Sequence, residues 1–335
     1  MGFERILGQP AATQTLARAL ESGKVHHGYR FEGPNGVGKE MAAFAFAQAL
    51  VCSTNPPEGH AYQACGKCSA CTRALAVSAE PPRVPLHPDI VIIERGLYPP
   101  EALRRARPEL QDISVDQIRR LVLERASYTP HEGRARVFIV RRAHELSLAA
   151  SNALLKTLEE PIANTYFLLV TDRGNELLTT IRSRTQLVRF GPLADKVVQS
   201  ILEARGVPPD AAQLASELAG GSAAAALELA DPEATRERRG FVEAALGAIQ
   251  GPDLAAALAL SDARARDKEV LRDRLAALSA HFAGVGRTVA EGDPDAAVRA
   301  AKGHEVVARA MDELEQNGSP ALVLEAMVAR LKHEV

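Results

Sequence analysis

The sequence is short of aromatic residues, which make up 4% of its 335 positions with no tryptophan, while 46% of positions are hydrophobic. An apolar content carried largely by alanine and leucine favours helices over all-β sandwiches. No apolar run approaches the ~18 residues that a membrane-spanning helix needs. The opening Met1-Gly2-Phe3-Glu4-Arg5 lacks the basic and apolar segments of a secretory leader, so a cytoplasmic protein with no membrane partner is expected. An excess of one charge is missing too. The formal net charge is -2, so no global field draws the chain to nucleic acid or anionic lipid, and any DNA contact must be local or made through partners. Internal repeats and low-complexity tails are absent. The length predicts two or three domains with ample core.

Cysteine is absent everywhere except between positions 52 and 71, where all four cysteines stand as Cys52, Cys65, Cys68 and Cys71. Thiolates two residues apart turn back onto one ion, and four of them complete the tetrahedral shell of Zn²⁺. That leaves no position open for water or substrate, so the predicted zinc is structural. The bland alternative is four reduced thiols that merely cluster. Two disulfides are disfavoured by the missing leader and by a chain long enough to fold without staples.

The first half alternates strand and helix signals. Tyr29–Glu32 reads as a strand, followed by Gly33-Pro34-Asn35-Gly36-Val37-Gly38-Lys39 and a helix from Glu40 to about Val51. That order is a phosphate loop. Gly33, Gly36 and Gly38 let backbone amides converge on phosphate oxygens, and Lys39 adds a point charge. Whether ATP or ADP occupies it stays open at this stage. Asp89–Ile93, Val137–Val140, Tyr166–Val170 and Leu187–Phe190 are predicted as buried parallel strands. Helices are predicted at Gln9–Glu21, Val115–Ala126 and Ser147–Glu160, the last stopped by Pro161. Residues 78–112, with Glu80-Pro81-Pro82-Arg83-Val84-Pro85 and the basic stretch Arg104–Arg107, read as an exposed irregular region.

After Pro192 the β signal ends. Helices near Asp195–Arg205, Pro209–Leu218 and Ser222–Ala230, broken at Gly220-Gly221, predict a small bundle. From about Pro232 all is helical, and the final helix is announced by Ser319 at the cap and Pro320 at the first helical position. The predicted class is α/β, a parallel sheet covered on both faces, with helical domains after it.

Three positions speak against catalysis by this loop. Glu40 stands where a phosphate loop carries the Ser or Thr that ligates Mg²⁺. The strand Val137–Val140 runs into Arg141 and Arg142, where an ATPase has the acidic pair that holds Mg²⁺ and polarises water. Arginine can do neither. Glu145 lies too far along the chain to take the strand-end position. The two arginines read either as a solvated strand end or as a contact to a neighbour or DNA. The chain alone is predicted not to hydrolyse ATP.

Several segments together carry a resemblance. They are Phe3-Glu4-Arg5-Ile6-Leu7-Gly8-Gln9, His26-His27-Gly28-Tyr29-Arg30-Phe31 leading into the phosphate loop, the cysteine module behind the loop helix, and His87-Pro88-Asp89. Ser151-Asn152-Ala153-Leu154-Leu155-Lys156-Thr157-Leu158-Glu159-Glu160-Pro161 and Thr180-Ile181-Arg182-Ser183-Arg184-Thr185-Gln186 complete the set. The chain resembles the bacterial clamp-loader AAA+ family of DNA polymerase III over essentially its whole length, most strongly in residues 1–190. The resemblance implies an AAA+ P-loop core over 1–191 with an inserted zinc module at 52–71, a helical lid over 192–231, and an all-α collar for assembly over 232–335. The departures favour the delta-prime branch, whose nucleotide site is commonly decayed, over the tau/gamma motor branch. A motor would carry Thr or Ser at 40 and an acidic pair at 141–142. It would also carry an arginine in the lid motif, where Gly221-Ser222-Ala223-Ala224-Ala225 has none.

In this family the arginine of a Ser-Arg-Cys motif reaches ATP held by the next subunit. The match here is Ser183-Arg184-Thr185, with threonine in the third place, which implies Arg184 as an arginine finger acting in trans and Arg182 as a supporting surface residue. The implied function is a non-hydrolysing subunit that scaffolds the complex while the sliding clamp is loaded onto primed DNA. Its implied partners are tau/gamma-type motor subunits and the delta subunit, with the clamp and primer-template DNA met through the complex. The alternatives are an active motor paralogue and an unrelated P-loop small-molecule kinase. The helical region from Pro232 argues against the kinase.

Overall fold

The computed structural model describes residues 2–334 except 55–60, 107–110, 127, 133, 161, 252–267, 290–292 and 317–318. The predicted helix stop at Pro161 and Arg107 of the basic stretch lie outside the described residues. Packing divides the chain into two compact units, Met1–Leu227 and Glu228–Val335. The expected core–lid boundary at 191/192 falls inside the first unit, and the expected lid–collar boundary at 231/232 falls close to the division.

The first unit is built on five parallel strands: β1 (Gly28–Glu32), β2 (Ile90–Ile93), β3 (Arg136–Val140), β4 (Thr165–Thr171) and β5 (Gln186–Arg189). Their order across the sheet is β2-β3-β4-β1-β5. Every residue of β2, β3 and β4 is buried, which is why these strands read as continuous apolar runs rather than alternating ones. Alternate residues feed opposite faces. Phe138 and Phe167 stack at 5.1 Å on one face and join Val140, Leu169, Ile118, Leu154 and Leu158 in one apolar cluster. Tyr29 packs at 5.1 Å on Phe46, and Phe31 at 5.6 Å on Phe190.

Helix α1 (Pro10–Ser22) precedes β1, and α2 (Lys39–Val51) follows the glycine-rich loop. Ala42, Ala43, Ala45, Phe46, Ala47, Ala49, Leu50 and Val51 are all buried, so α2 is wrapped by protein around most of its circumference. Helix α3 (Ser69–Leu75) carries Cys71 and is capped at its start by Cys68, whose sulfur accepts from the Cys71 N–H. The predicted helix at 115–126 forms, but its middle, Ile118–Leu123, is π-helical between the α-helical ends Val115–Gln117 and Glu124–Ala126. Ser114 caps its start by accepting from the Gln117 N–H. Helix α4 (Leu148–Glu159), capped by Ser147, lies between β3 and β4. A short helical turn α5 (Thr179–Arg182) leads into β5. After the sheet come α6 (Asp195–Glu203), α7 (Pro209–Leu218) and α8 (Ala223–Ala230). Gly220 and Gly221 separate the last two with positive φ angles of 56° and 80°.

The second unit contains helices α9 (Pro232–Gln250), α10 (Lys268–Val289), α11 (Pro294–Glu315) and α12 (Pro320–Glu334). Proline opens three of them, where its missing N–H costs nothing. Leu271, Leu275, Leu278 and Phe282 recur at helical spacing and pack on Val307, Ala310, Leu314, Leu324 and Met327. A side chain at Gly303 would strike the Phe282 ring at 2.7 Å, so this crossing requires glycine.

Candidate nucleotide and metal sites

The phosphate loop spans the carboxyl end of β1 and the amino end of α2, between the ends of β4 and β5. That is where ligands collect on parallel sheets. The loop is held by close approach. A Cβ at Gly36, whose φ is 73°, would land on Ser222 and at 2.7 Å from Ala224 Cβ. The Ala223 N–H donates to Gly36 O at 3.1 Å. Gln9, buried, ties three segments together: its Nε2 donates to Gly191 O at 2.7 Å and Val37 O at 3.3 Å, and its Oε1 accepts from the Gly191 N–H at 3.1 Å. Lys39 is buried, and its Nζ donates to Gly33 O at 2.6 Å and Pro34 O at 2.5 Å. Burial holds its pKa below the ordinary lysine value, with Asp172 and Glu40 pulling the other way.

Beside the loop is a cavity of about 470 Å³. The predicted Gly36, Gly38 and Lys39 line it, while Gly33 is not part of the lining and packs close to Phe190 O. Sequence reasoning did not identify its other walls: Arg5, Ile6 and Leu7 from the first residues, and Leu193, Ile201, Arg205 and Leu227 from the helices after the sheet. The first three belong to a segment that already stood out as a signature. The others have no local signal and meet the loop only through the tertiary fold.

At the end of β3 both arginines pair with carboxylates of the chain itself. Sheet register pairs Ile93 with Val140, so the next residues, Glu94 and Arg141, are neighbours. Arg141 Nη1 lies 2.9 Å from Glu94 Oε2, and its Nε lies 3.3 Å from Glu40 Oε2. Its guanidinium also sits over the Phe44 ring at 5.6 Å. Arg142, in the left-handed region at φ 45°, reaches Glu94 at 3.2 Å and Glu145 at 3.8 Å. The three positions that depart from a hydrolytic pattern therefore interact, with Arg141 bridging Glu40 and Glu94. At the end of β4, Asn35 Nδ2 donates to Asp172 at 2.9 Å, and His144 Nδ1 lies 3.0 Å from Thr171 Oγ1 and 3.3 Å from Asp172. Burial lowers the His144 pKa against the pull of Asp172 and Glu145.

Arg184 lies at the opposite end of the strands from the phosphate loop: it stands just before β5, and its carbonyl lies 3.4 Å from where a Cβ on Gly28, the first residue of β1, would stand. It follows α5 and is partly exposed. Its Nη2 meets Glu159 Oε1 at 2.7 Å, and its Nη1 donates to Thr180 O at 3.0 Å. Thr185, in the third place of the motif, is buried and donates to Ile181 O at 2.9 Å, so a hydroxyl fills that packing position.

The four cysteine sulfurs lie within 4.8 Å of one another. Cys52 and Cys68 sulfurs are 3.9 Å apart, and those of Cys65 and Cys71 4.0 Å. A tetrahedron with metal–sulfur bonds of about 2.3 Å has edges of about 3.8 Å, so the donor set fits one ion. Backbone N–H groups of Lys67 and Cys68 point at Cys65 Sγ at 3.4 and 3.3 Å, and that of Cys71 at Cys68 Sγ at 3.4 Å. Hydrogen bonds from Thr54 and from these two amides lower the Cys65 pKa to about 7. Burial opposes ionisation of Cys68, yet bonds from Ser53 and the Cys71 amide bring its pKa down to about 5. Burial pushes the Cys71 thiol up. The module is anchored to the core by Arg134, which donates to Cys52 O at 2.6 Å, and by Arg73, 2.6 Å from Glu132. Glu132 in turn lies 3.3 Å from Nε2 of buried His87. Asp89 accepts from the His131 and Glu132 N–H groups at 2.7 and 2.8 Å and pairs with Arg136 at 3.1 Å. The His87-Pro88-Asp89 signature is thus a structural anchor.

Residues 8–194 match the family described as DNA polymerase III, delta subunit. The chain is 34% identical over 235 residues to DNA polymerase III subunit gamma/tau of Mycobacterium tuberculosis, covering 68% of this chain and 36% of the relative. It is 30% identical over 234 residues to DNA polymerase III subunit delta' of Bacillus subtilis, covering 70% of this chain and 63% of the relative. The chain thus spans about a third of the length of the gamma/tau relatives it matches. Its fold is that of a DNA polymerase III gamma subunit-related protein from Thermotoga maritima, with a TM-score of 0.52 at 16% identity over 96% of this chain and 98% of the other.

Proposed function

We propose that this chain, which belongs to the clamp-loader AAA+ family of DNA polymerase III subunits, is a non-hydrolysing subunit that completes a neighbour's nucleotide site. The observation that carries this is the ion-pair bridge Glu40–Arg141–Glu94. It sets a glutamate in place of the hydroxyl and an arginine in place of the carboxylate; the arginine can neither ligate Mg²⁺ nor activate water, and it already engages the glutamate. Loss of several members of one catalytic unit removes nearly all of its rate.

Arg184 supports the other half of the reading. It is partly exposed, held by the exposed Glu159 carboxylate, the Thr180 carbonyl and the Ser183 hydroxyl, and sits in the motif that the family projects across a subunit boundary. A guanidinium brought to the neighbour's γ-phosphate would offset charge developing there, an effect worth ~10³–10⁵ in turnover at one site. The neighbour would be a tau/gamma-type subunit with an intact phosphate loop. The delta subunit, the sliding clamp and primed DNA would be met through the complex, with residues 232–335 as the assembly collar. Cys52, Cys65, Cys68 and Cys71 would hold a structural Zn²⁺, whose closed shell supplies folding energy and no chemistry.

The motor reading is favoured by the gamma/tau relatives, which are as similar as the delta' relative. ATPase assays decide between the two. The purified chain is expected to show no turnover. A complex reconstituted with a motor subunit is expected to lose DNA- and clamp-stimulated turnover when Arg184 becomes alanine, with lysine rescuing only in part. Turnover by the isolated chain that Lys39→Ala abolishes would establish the motor reading instead. Wild-type clamp loading by the Arg184→Ala complex under limiting ATP would reduce the subunit to a scaffold.

A further inference from the structure

A nucleotide site that works through Mg²⁺ needs an oxygen ligand at the start of the loop helix and a carboxylate at the end of β3. It also needs space between them for the ion and its waters. Here that space is bridged by a side chain. Arg141 Nε is 3.3 Å from Glu40 and its Nη1 is 2.9 Å from Glu94, so both carboxylates already face a fixed cation. A divalent ion arriving there would meet two guanidinium groups, Arg141 and Arg142, where a motor presents two carboxylates.

The cavity next to this bridge keeps the parts that hold phosphate. The loop glycines retain the positive φ angles that aim amides inward, 73° at Gly36 and 100° at Gly38. Lys39 is buried and its ammonium donates to the Gly33 and Pro34 carbonyls, an arrangement that an entering phosphate would exchange for an ion pair. The charged residues lining the cavity are Arg5, Lys39, Arg142 and Arg205 against Glu40 and Asp172. Four positive groups thus stand against two negative ones in the lining, with Arg142 shared with Glu94 and Glu145 behind it, so the wall facing an entering phosphate is net positive.

We propose that this cavity takes a nucleoside di- or triphosphate without a divalent cation, the built-in arginines standing in for the metal. The proposal rests on the reading of the loop as non-hydrolysing, and it adds a specific ligand form: metal-free nucleotide, held statically. Binding of this kind would set the position of the helices at 195–227 against the sheet without a hydrolytic cycle.

Calorimetric titration of the full, zinc-loaded chain with ADP and with ATP tests this, run in excess EDTA and in excess Mg²⁺ at matched ionic strength. Zinc content is checked afterwards in the EDTA arm. The expected result is saturable binding in EDTA that Mg²⁺ leaves unchanged or weakens, abolished in Lys39→Ala. The double variant Glu40→Thr/Arg141→Asp is expected to reverse the preference, so that Mg²⁺ tightens binding by about tenfold or more. Tightening of that size in the wild-type chain would overturn the proposal. So would binding that survives Lys39→Ala, or no binding of either nucleotide in EDTA. The wild-type comparison stands even where a variant does not fold. A chain that binds nothing defeats this proposal and leaves the trans role of Arg184 intact, because that role is read from turnover of the reconstituted complex.

Discussion

Two places in this chain gather anionic groups at short range, and they neutralise them in opposite ways. At the end of β3, Glu40 and Glu94 are met by Arg141, a cation supplied by the chain itself. In the cysteine module, four sulfurs within 4.8 Å of one another are met by backbone amides and the hydroxyls of Ser53 and Thr54. Amides orient sulfurs but carry too little charge to hold four thiolates together, so the donor set is one that a metal ion from solution could close. A site closed with its own cation is fixed once the chain folds. A site closed with an ion depends on supply.

The largest expected effect tests the second half of that contrast. Removing metal with a strong chelator, or replacing Cys68 by serine, is expected to release α3 and the segments around it, at a cost of several kcal/mol to that module. Hydrogen exchange at the amides of residues 65–75 reads it directly. Protection that a chelator leaves unchanged would erase the difference between the two places. At the other place, Arg141→Ala should cost about 1–3 kcal/mol in urea unfolding, because Glu94 keeps little solvent and loses the nearer of its two arginines, with Arg142 at 3.2 Å remaining. A loss below about 0.5 kcal/mol would mean that the carboxylates are hydrated after all.

A smaller effect follows from His87, which joins the module to the core. Its Nδ1 accepts from the Asp89 N–H at 3.1 Å, so the neutral ring carries its proton on Nε2 toward Glu132. Burial lowers its pKa below 6.5, with Glu132 and Asp89 opposing. A group whose folded pKa is depressed in this way binds protons more readily in the unfolded chain. Stability is therefore complete above about pH 6.5 and falls as the pH drops through that value toward the folded pKa. His87→Gln should flatten the urea midpoint against pH in that window, and an unchanged slope would remove His87 from the account. The smallest expected effect belongs to Arg184. Its partner Glu159 is exposed, so Arg184→Ala should leave stability within ~0.5 kcal/mol even as it lowers the complex's turnover. A melting temperature that falls as far as that of Arg141→Ala would show Arg184 to be a structural arginine.

Much of this was legible in the chain itself. All five strands lie within a residue of their predicted limits, and for β1 to β4 this is because buried strands leave apolar runs between turn residues; β5, also expected to be buried, is an edge strand with Gln186 and Arg189 exposed. The four cysteines and the loop glycines were legible for the same reason: their spacing is the signal. The bridge at Arg141 was half legible. Glu40 and Arg141 each broke a local rule, but the carboxylate between them, Glu94, is set by the β2–β3 register and has no mark in its own neighbourhood. The cavity walls at Ile201, Arg205 and Leu227 were hidden in the same way, as was Glu159 beside Arg184. The π-helical turns at Ile118–Leu123 follow from packing that periodicity alone does not resolve.

Gln9 has a consequence for movement. Its one amide group grips Gly191 with both its oxygen and its nitrogen, and the nitrogen also reaches Val37 in the phosphate loop. Gly191 has open space where a side chain would stand, and the helices at 195–227 begin immediately after it. The joint is therefore free to turn in itself but tethered on one side. Any swing of those helices about Gly191 must either carry the phosphate loop with it or break both this glutamine grip and the Ala223 N–H bond to Gly36 O, so the two ties together set how far the cavity can open.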